Sequence, residues 1–345
     1  MKGPDVHVRT AAVFRAPRVV ALTELSFPPL ADDEVLIDME ACALCTMEKQ
    51  IYTGELPFYP VVPGHEVCGT VVDAGSTAGA HLVGSRVAAD LLTRCGRCRS
   101  CRAGMSCVCS APQGNEFDGN VKGMGAGLSH ALVCKVSGCY VAPPDAPAEL
   151  VALAEPLACV LHAVRRSGFR PGERCAVIGA GFMGRLHQLV LQRLCASAVD
   201  CVEPDQARAA AFLEVGGAHL DGQGALDQAA RGTYERVFVT YLGEGALESA
   251  LELSADGGTV VLFGGVEGMS PTTMDPYILH RRAISLVGAY SQEPRDWFAA
   301  MGLLANVEAR QRLRLLVTHE FGLADIDDAL TAALDRSSLR VVVRP

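Results

Sequence analysis

The chain has 345 residues, half of them hydrophobic, and a formal net charge of −9, which suffices for a large core and for two domains. An acidic balance without a block of Lys and Arg argues against nucleic acid as a partner, since binding phosphates needs clustered cations. No apolar run approaches the roughly 20 residues of a membrane-spanning helix and the start MKGPDVHVRT lacks an apolar secretory core, so the expected address is the cytoplasm, with no membrane partner.

Up to about Pro147 the chain reads as short strand-like runs, EVLIDME, VCGTVVDAG, SRVAAD and HALVCKV, broken by Gly and Pro, which predicts a β-rich domain. Three potential metal ligands fall early in it. Cys45 lies in EACALCTMEKQ, and His65 and Glu66 lie in VVPGHEVCGTVV. Next comes CGRCRSCRAGMSCVC, in which Cys95, Cys98, Cys101 and Cys109 have the spacing C-x2-C-x2-C-x7-C. Four thiolates on short turns close a tetrahedron round zinc without a core beneath them, so this spacing reads as a structural zinc lobe. The alternative, two disulfides in a secreted loop, conflicts with the expected address. Cys107 is a rival for the fourth position, and Cys109 is preferred. Cys68, Cys134, Cys159, Cys175, Cys195 and Cys201 read as small buried apolar residues.

Glu155 in LAEPLACVLHAV adds a fourth candidate to Cys45, His65 and Glu66. Singly, each fits a bland role: a core thiol, a turn histidine, the cap of a helix begun by Pro156. Together they offer the mixed S, N and O donors of a catalytic zinc with one exchangeable position.

Beyond residue 150 strands and helices alternate. CAVIGA reads as a buried strand, GFMGRLHQLVLQRL as a helix, AVDCVEP as a strand, and DQARAAAFLEVG as a helix opened by Asp205 and closed by Gly216. RVFVT, TVVLFGG and ISLVGAY continue what is expected to be a parallel sheet, and the final run LRVVVRP is expected to rejoin the first domain. At the first strand-to-helix junction stands Gly179-Ala180-Gly181-Phe182-Met183-Gly184, a G-x-G-x-x-G. There Gly179 turns the chain, Gly181 lets a pyrophosphate approach, and Gly184 lets helix pack on strand. Glu203 ends the next strand nineteen positions after Gly184, where a carboxylate can hold both adenosine ribose hydroxyls. A 2′-phosphate would meet that negative charge, so NAD is expected rather than NADP. Arg208 either flanks the adenine, reaches a phosphate, or is a solvated helix arginine.

With these motifs on the page, ACALC, PGHE, the four-cysteine lobe, AEPLAC and GAGFMG with its acidic strand end, the chain resembles the zinc-dependent medium-chain dehydrogenases from about Thr10 to Pro345. The likeness is closest to the polyol, threonine and butanediol dehydrogenase branch. It implies an α/β protein with a GroES-like β-rich catalytic domain over residues 1–152 and 291–345, its zinc lobe at about 95–109. A Rossmann domain, a doubly wound parallel sheet over 153–290, is inserted, with the active site in the cleft between them. Two zinc ions per chain are implied: one on Cys45, His65 and either Glu66 or Glu155, one on the four-cysteine lobe. The implied reaction is NAD-linked interconversion of a secondary alcohol, of polyol, cyclitol or amino-polyol type, with its ketone.

One departure stands out. The family's usual Ser or Thr and His of the proton relay are Met47 and Gln50 here, and neither side chain titrates near neutral pH. Thr46 is a substitute if its hydroxyl turns inward; Glu48 matches a family acid that orients the zinc-bound histidine. A reductase of C=N or C=C bonds on the same scaffold is therefore a second expectation, and a non-catalytic zinc and dinucleotide binder a third. The segment QGNEFDGNVKGMGAGLSHALV, with His130, falls where the family lines its substrate pocket. ISLVGAYSQ has the composition of a strand that pairs with a second copy, so a homodimer or homotetramer is expected.

Overall fold

In a computed structural model of the chain, which describes residues 7–27, 29–92, 94–110, 115–116, 121–220, 228–264 and 274–345, strand Glu34–Leu44 is the spine of the first unit. Ala41, Cys42, Ala43 and Leu44 are all buried, which accounts for an apolar run where alternation would mark a half-exposed strand. Three strands pair with it: Glu66–Ala74 antiparallel with Ala43 opposite Glu66, Arg340–Arg344 antiparallel with Leu44 opposite Val341, and Ala131–Lys135 with Ile37 opposite Leu132. This register has a chemical consequence. It brings the end of the spine, where Cys45 follows, beside the head of the strand opened by Glu66 and the head of the strand opened by Arg340.

The chain divides into two units, Met1–Ala158 with Glu293–Pro345, and Cys159–Gln292. The first division falls inside the helix Ala154–Arg166, so Glu155 belongs to the first unit. That unit holds a five-stranded and a seven-stranded sheet, the second of which includes the C-terminal strand. Val13, Phe14, Ile37, Ile51, Val62, Leu128, Leu330 and Val343 pack into one core between them. At about 25 cal/mol per Å² of apolar surface removed from water, such a cluster is the main stabilising term of the unit.

The second unit is a parallel five-stranded sheet in the order Ala198–Val202, Arg174–Ile178, Tyr234–Val239, Ser254–Leu262, Ser285–Gly288. A parallel bridge between Cys201 and His219 extends it past Ala198–Val202. Counted in chain order this is 3-2-1-4-5-6, the Rossmann order, and the direction of winding reverses between Arg174–Ile178 and Tyr234–Val239. Gly179 and Thr240 leave the sheet at that reversal. The Thr240 hydroxyl donates to the Ile178 carbonyl at 2.8 Å, holding the two loops together.

Two cysteines differ from the expectation of buried apolar residues. Cys195 is exposed with φ +65°, because it is the left-handed residue that ends helix Phe182–Arg193. Cys159 is only half-buried, and its thiol meets the Gln292 amide oxygen at 3.4 Å. Among the described residues no helix is long and apolar enough to cross a membrane.

Candidate metal and dinucleotide sites

Cys45 has two tasks. It caps the helix Thr46–Thr53, its sulfur accepting the Met47 N–H at 3.2 Å, and the Glu48 carboxylate returns to the Cys45 N–H at 2.9 Å, a reciprocal capping box. The cap thereby fixes both the thiol and the glutamate. Glu48, fully buried, places Oε1 3.0 Å from His65 Nδ1 and accepts the Gly64 N–H at 3.2 Å. Gly64 has φ +108°, and a Cβ there would lie 2.7 Å from the Leu128 nitrogen, so only glycine permits this turn.

With Nδ1 held by a carboxylate, Nε2 is the ring atom that faces Cys45, 3.5 Å from its sulfur. His65 also groups with Glu66 and Glu155, their donor atoms all within 4.8 Å of one another. His65 is thus the residue common to a thiol and two carboxylates. The side chain of Thr46, by contrast, is exposed at the first helical position, and Met47 packs against the core. Gln50 donates its amide to Glu55 at 3.4 Å.

Glu66 is 2% exposed and pairs through Oε1 with Arg340 Nη2 at 3.0 Å. Its other oxygen, Oε2, is buried without a hydrogen-bond partner. Arg340 also donates to the Leu44 carbonyl at 2.9 Å. A buried carboxylate with one oxygen left bare, grouped with an imidazole and a second carboxylate, fits a cation, since a buried acceptor without a partner is otherwise costly.

The charges agree. Burial pushes the Cys45 thiol up to about 11, with Glu48 adding to it. Burial opposes a charge on His65, but Cys45 and Glu48 outweigh it and raise the imidazole well above its ordinary value. Burial likewise lifts Glu66 to about 8, Arg340 opposing and Glu155 reinforcing. Each of these protons is one that a divalent cation would displace.

In the lobe, Cys95, Cys98, Cys101 and Cys109 bring their sulfurs within 4.8 Å of one another. All four are free thiols. Backbone N–H groups point at the sulfurs, Cys98 N–H to Cys95 at 3.3 Å, Cys101 N–H to Cys98 at 3.5 Å and Cys95 N–H to Cys109 at 3.4 Å. Such donors favour thiolate, and those of Cys101 and Ser110 hold Cys98 down at about 5. The donor set fits zinc. Cys107 is not part of it: its N–H donates to Glu293 at 2.8 Å, and the Ser106 hydroxyl bonds the same carboxylate. Replacing Cys98 by Ser is expected to remove one metal ion per chain and lower Tm by roughly 5 °C or more, with dinucleotide binding unchanged. Elemental analysis and a melting curve test this, and an unaltered metal count would refute the lobe as a zinc site.

In the second unit, Gly179 has φ +99°, and a Cβ on Gly184 would lie 1.9 Å from the Gly179 oxygen. Gly181 is different. The nearest atom to a Cβ there is Arg208 Nη1 at 3.9 Å, so the protein's own packing does not demand glycine and the space stands open at a helix N-terminus. Phe182 is buried and Met183 half-buried in the first turn of that helix. Glu203, 5% exposed, accepts the Ala180 N–H through Oε2 at 2.9 Å and the Asp205 N–H through Oε1 at 3.0 Å. Each oxygen keeps a second lone pair for a ribose hydroxyl. Arg208 is half-buried beside the loop. Of the expected pocket segment, residues 113, 114 and 117–120 lie outside the described residues, and His130 is exposed, its backbone bonded to Thr10 and Met39.

Sequence reasoning missed Arg340 and Glu293. A cation at the head of an apolar strand was visible in LRVVVRP, but nothing near it in sequence names Glu66 as its partner.

Comparison with known proteins gives concordant results. Residues 31–144 match the alcohol dehydrogenase GroES-like domain. The D-arabinitol dehydrogenase 1 of Uromyces fabae is 27% identical over 97% of each chain. Two solved structures share the fold: a zinc-binding dehydrogenase of Sinorhizobium meliloti 1021 bound to NADP, with TM-score 0.87 and 24% identity over 98% of this chain and 100% of that one, and a protein described as a short chain alcohol dehydrogenase of Escherichia coli CFT073 with NADH, with TM-score 0.88 and 19% identity over 98% and 99%.

Proposed function

The chain belongs to the zinc-type medium-chain alcohol dehydrogenase family, and on that premise we propose that it is an enzyme holding two zinc ions and NAD(H), which interconverts a polyol, cyclitol or amino-polyol with its ketone. Its general class is oxidoreduction between alcohol and ketone. The observation that carries the finer reading is the meeting of Cys45 and His65 at 3.5 Å, with Glu66 and Glu155 grouped on the same histidine.

When bound, zinc supplies Lewis acidity that makes a substrate hydroxyl more acidic, and NAD⁺ supplies the hydride acceptor. The chain's residues do the rest. Cys45, His65 and a glutamate would hold the ion. Glu48 keeps the proton of His65 on Nδ1, so Nε2 offers its lone pair, and the capping box keeps thiol and glutamate in register. Arg340 offsets the charge of Glu66 at 3.0 Å and so lets that carboxylate stay buried. In the second unit the open space at Gly181 and the carboxylate of Glu203 support a dinucleotide, and a negative Glu203 favours a free 2′-hydroxyl, hence NAD over NADP. Neither a nucleic acid nor a membrane is part of this reading. The strand Ser285–Gly288 lies at the edge of the described sheet, followed by Tyr290 at 68% exposure, which supports a homodimer or a tetramer built from it.

A second reading has its own observation. Met47 packed on the core and Gln50 tied to Glu55 leave the two relay positions without a titrating group, which suits a reductase of C=N or C=C bonds. One experiment separates the two. The metal-loaded protein is offered polyols, amino-polyols and simple secondary alcohols with NAD⁺ or NADP⁺, then imines and enals with NADH or NADPH, while light scattering counts chains. NAD-linked oxidation of a polyol supports the first reading. Reduction of imines or enals with every alcohol inert supports the second.

A further inference from the structure

Arg185 stands in the first turn of helix Phe182–Arg193, directly after the last glycine of the loop. This is a poor place for a cation, because the unpaired N–H groups of a helix N-terminus already carry positive charge. Burial depresses the pKa of Arg185 and the nearby Arg208 adds to that, while Glu214 and Glu203 only partly oppose the shift. The acceptors it meets are carbonyl oxygens: Nε donates to Ala180 at 3.2 Å and Nη2 to Arg208 at 3.4 Å. A charge set against the local rule marks a position under another demand.

That demand is visible at Ala180. Fully buried between Gly179 and Gly181, its N–H is held by Glu203 and its carbonyl by Arg185. Both hydrogen-bonding groups of the residue at the centre of the turn are thus clamped by charged side chains from outside the turn. The same guanidinium reaches the Arg208 carbonyl in helix Gln206–Leu213, which ties the loop to the element that follows Glu203.

We propose that Arg185 is a positioning residue of the dinucleotide site, holding the Ala180 and Arg208 carbonyls so that the glycine loop keeps the shape that receives a diphosphate, and adding a cation that the bound diphosphate offsets. The inference rests on the dinucleotide reading above and goes beyond it. In the glycine motif this position carries no role of its own.

The test uses Arg185→Leu and Arg185→Lys in the full chain, with NADH, ADP-ribose and AMP as ligands, at low and at moderate salt. Leu removes the clamp and the charge; Lys keeps the charge but offers one donor centre for two carbonyls. For Arg185→Leu the Kd of NADH and of ADP-ribose should rise roughly ten- to a hundredfold, that of AMP by less than about threefold, and salt should weaken diphosphate binding less than in the parent. Arg185→Lys should fall between, and the KM of the alcohol should not move. Parent-like NADH binding by Arg185→Leu overturns the proposal, as does an equal loss of all three ligands accompanied by a lower Tm, which would mean a purely structural residue. A parent protein that binds no dinucleotide sinks the underlying reading instead.

Discussion

His65→Ala is expected to lower alcohol oxidation by about 10³-fold or more, to reduce the zinc content from two ions per chain to one, and to leave NADH binding within about threefold of the parent. The size follows from position. His65 is the residue shared by the group Cys45, Glu48, His65 and the group His65, Glu66, Glu155, so its loss separates thiol from carboxylates. It also leaves Glu48 buried with its charge no longer faced by an imidazole. Now held at about 2, against the burial that would raise it, chiefly by His65, the carboxylate would take up a proton. The measurement is elemental analysis of the purified variant beside NADH titration and initial rates. A variant keeping more than a tenth of the parent rate would remove His65 from the metal centre.

Arg340→Leu is expected to cost about 3–5 kcal/mol and to lower Tm by on the order of 10 °C, because it strands Glu66. Both side chains of the pair are almost entirely shielded, 6% and 2% exposed, so water cannot replace the lost guanidinium. Arg340 also satisfies the Leu44 carbonyl at the end of the spine strand, which would be left bare. The double variant Arg340→Leu with Glu66→Leu should regain most of that stability, since a buried ion pair exchanged whole for apolar groups is often neutral. It should still lose activity through Glu66. Denaturation curves of the parent, both single variants and the double variant give the coupling directly. A double variant no more stable than Arg340→Leu would show that the pair is not what Arg340 is for.

Much of the candidate machinery could be read along the chain because it is built from near neighbours. The four cysteines of the lobe span fifteen residues and meet through local N–H to sulfur bonds. The glycine loop works through its own backbone. Glu48 lies three residues from Cys45, one turn of the helix that both cap. What was missed lies elsewhere: Arg340 is far from Glu66 in sequence, and Glu293 reaches the lobe at Ser106 and Cys107 across a separation of 187 and 186 positions. No periodicity or spacing reports such pairs. Cys195 erred for a different reason, since its composition suits a core while the helix end it occupies needs a left-handed residue at the surface.

The amino-acid order by itself determined which chemical groups are present and which local turns they sit on: four thiols at metal-ligand spacing, a glycine turn opening a helix, an acid at the next strand end, and the non-titrating Met47 and Gln50 shortly after Cys45. These are short-range properties, settled by a few dihedral angles and nearby hydrogen bonds. Only the tertiary structure decided that the end of strand Glu34–Leu44 lies between the heads of Glu66–Ala74 and Arg340–Arg344, and so that Cys45, His65, Glu66 and Arg340 are neighbours. Strand register is set by which side chains fill the shared core, a condition distributed over the whole unit that no single stretch of the chain contains.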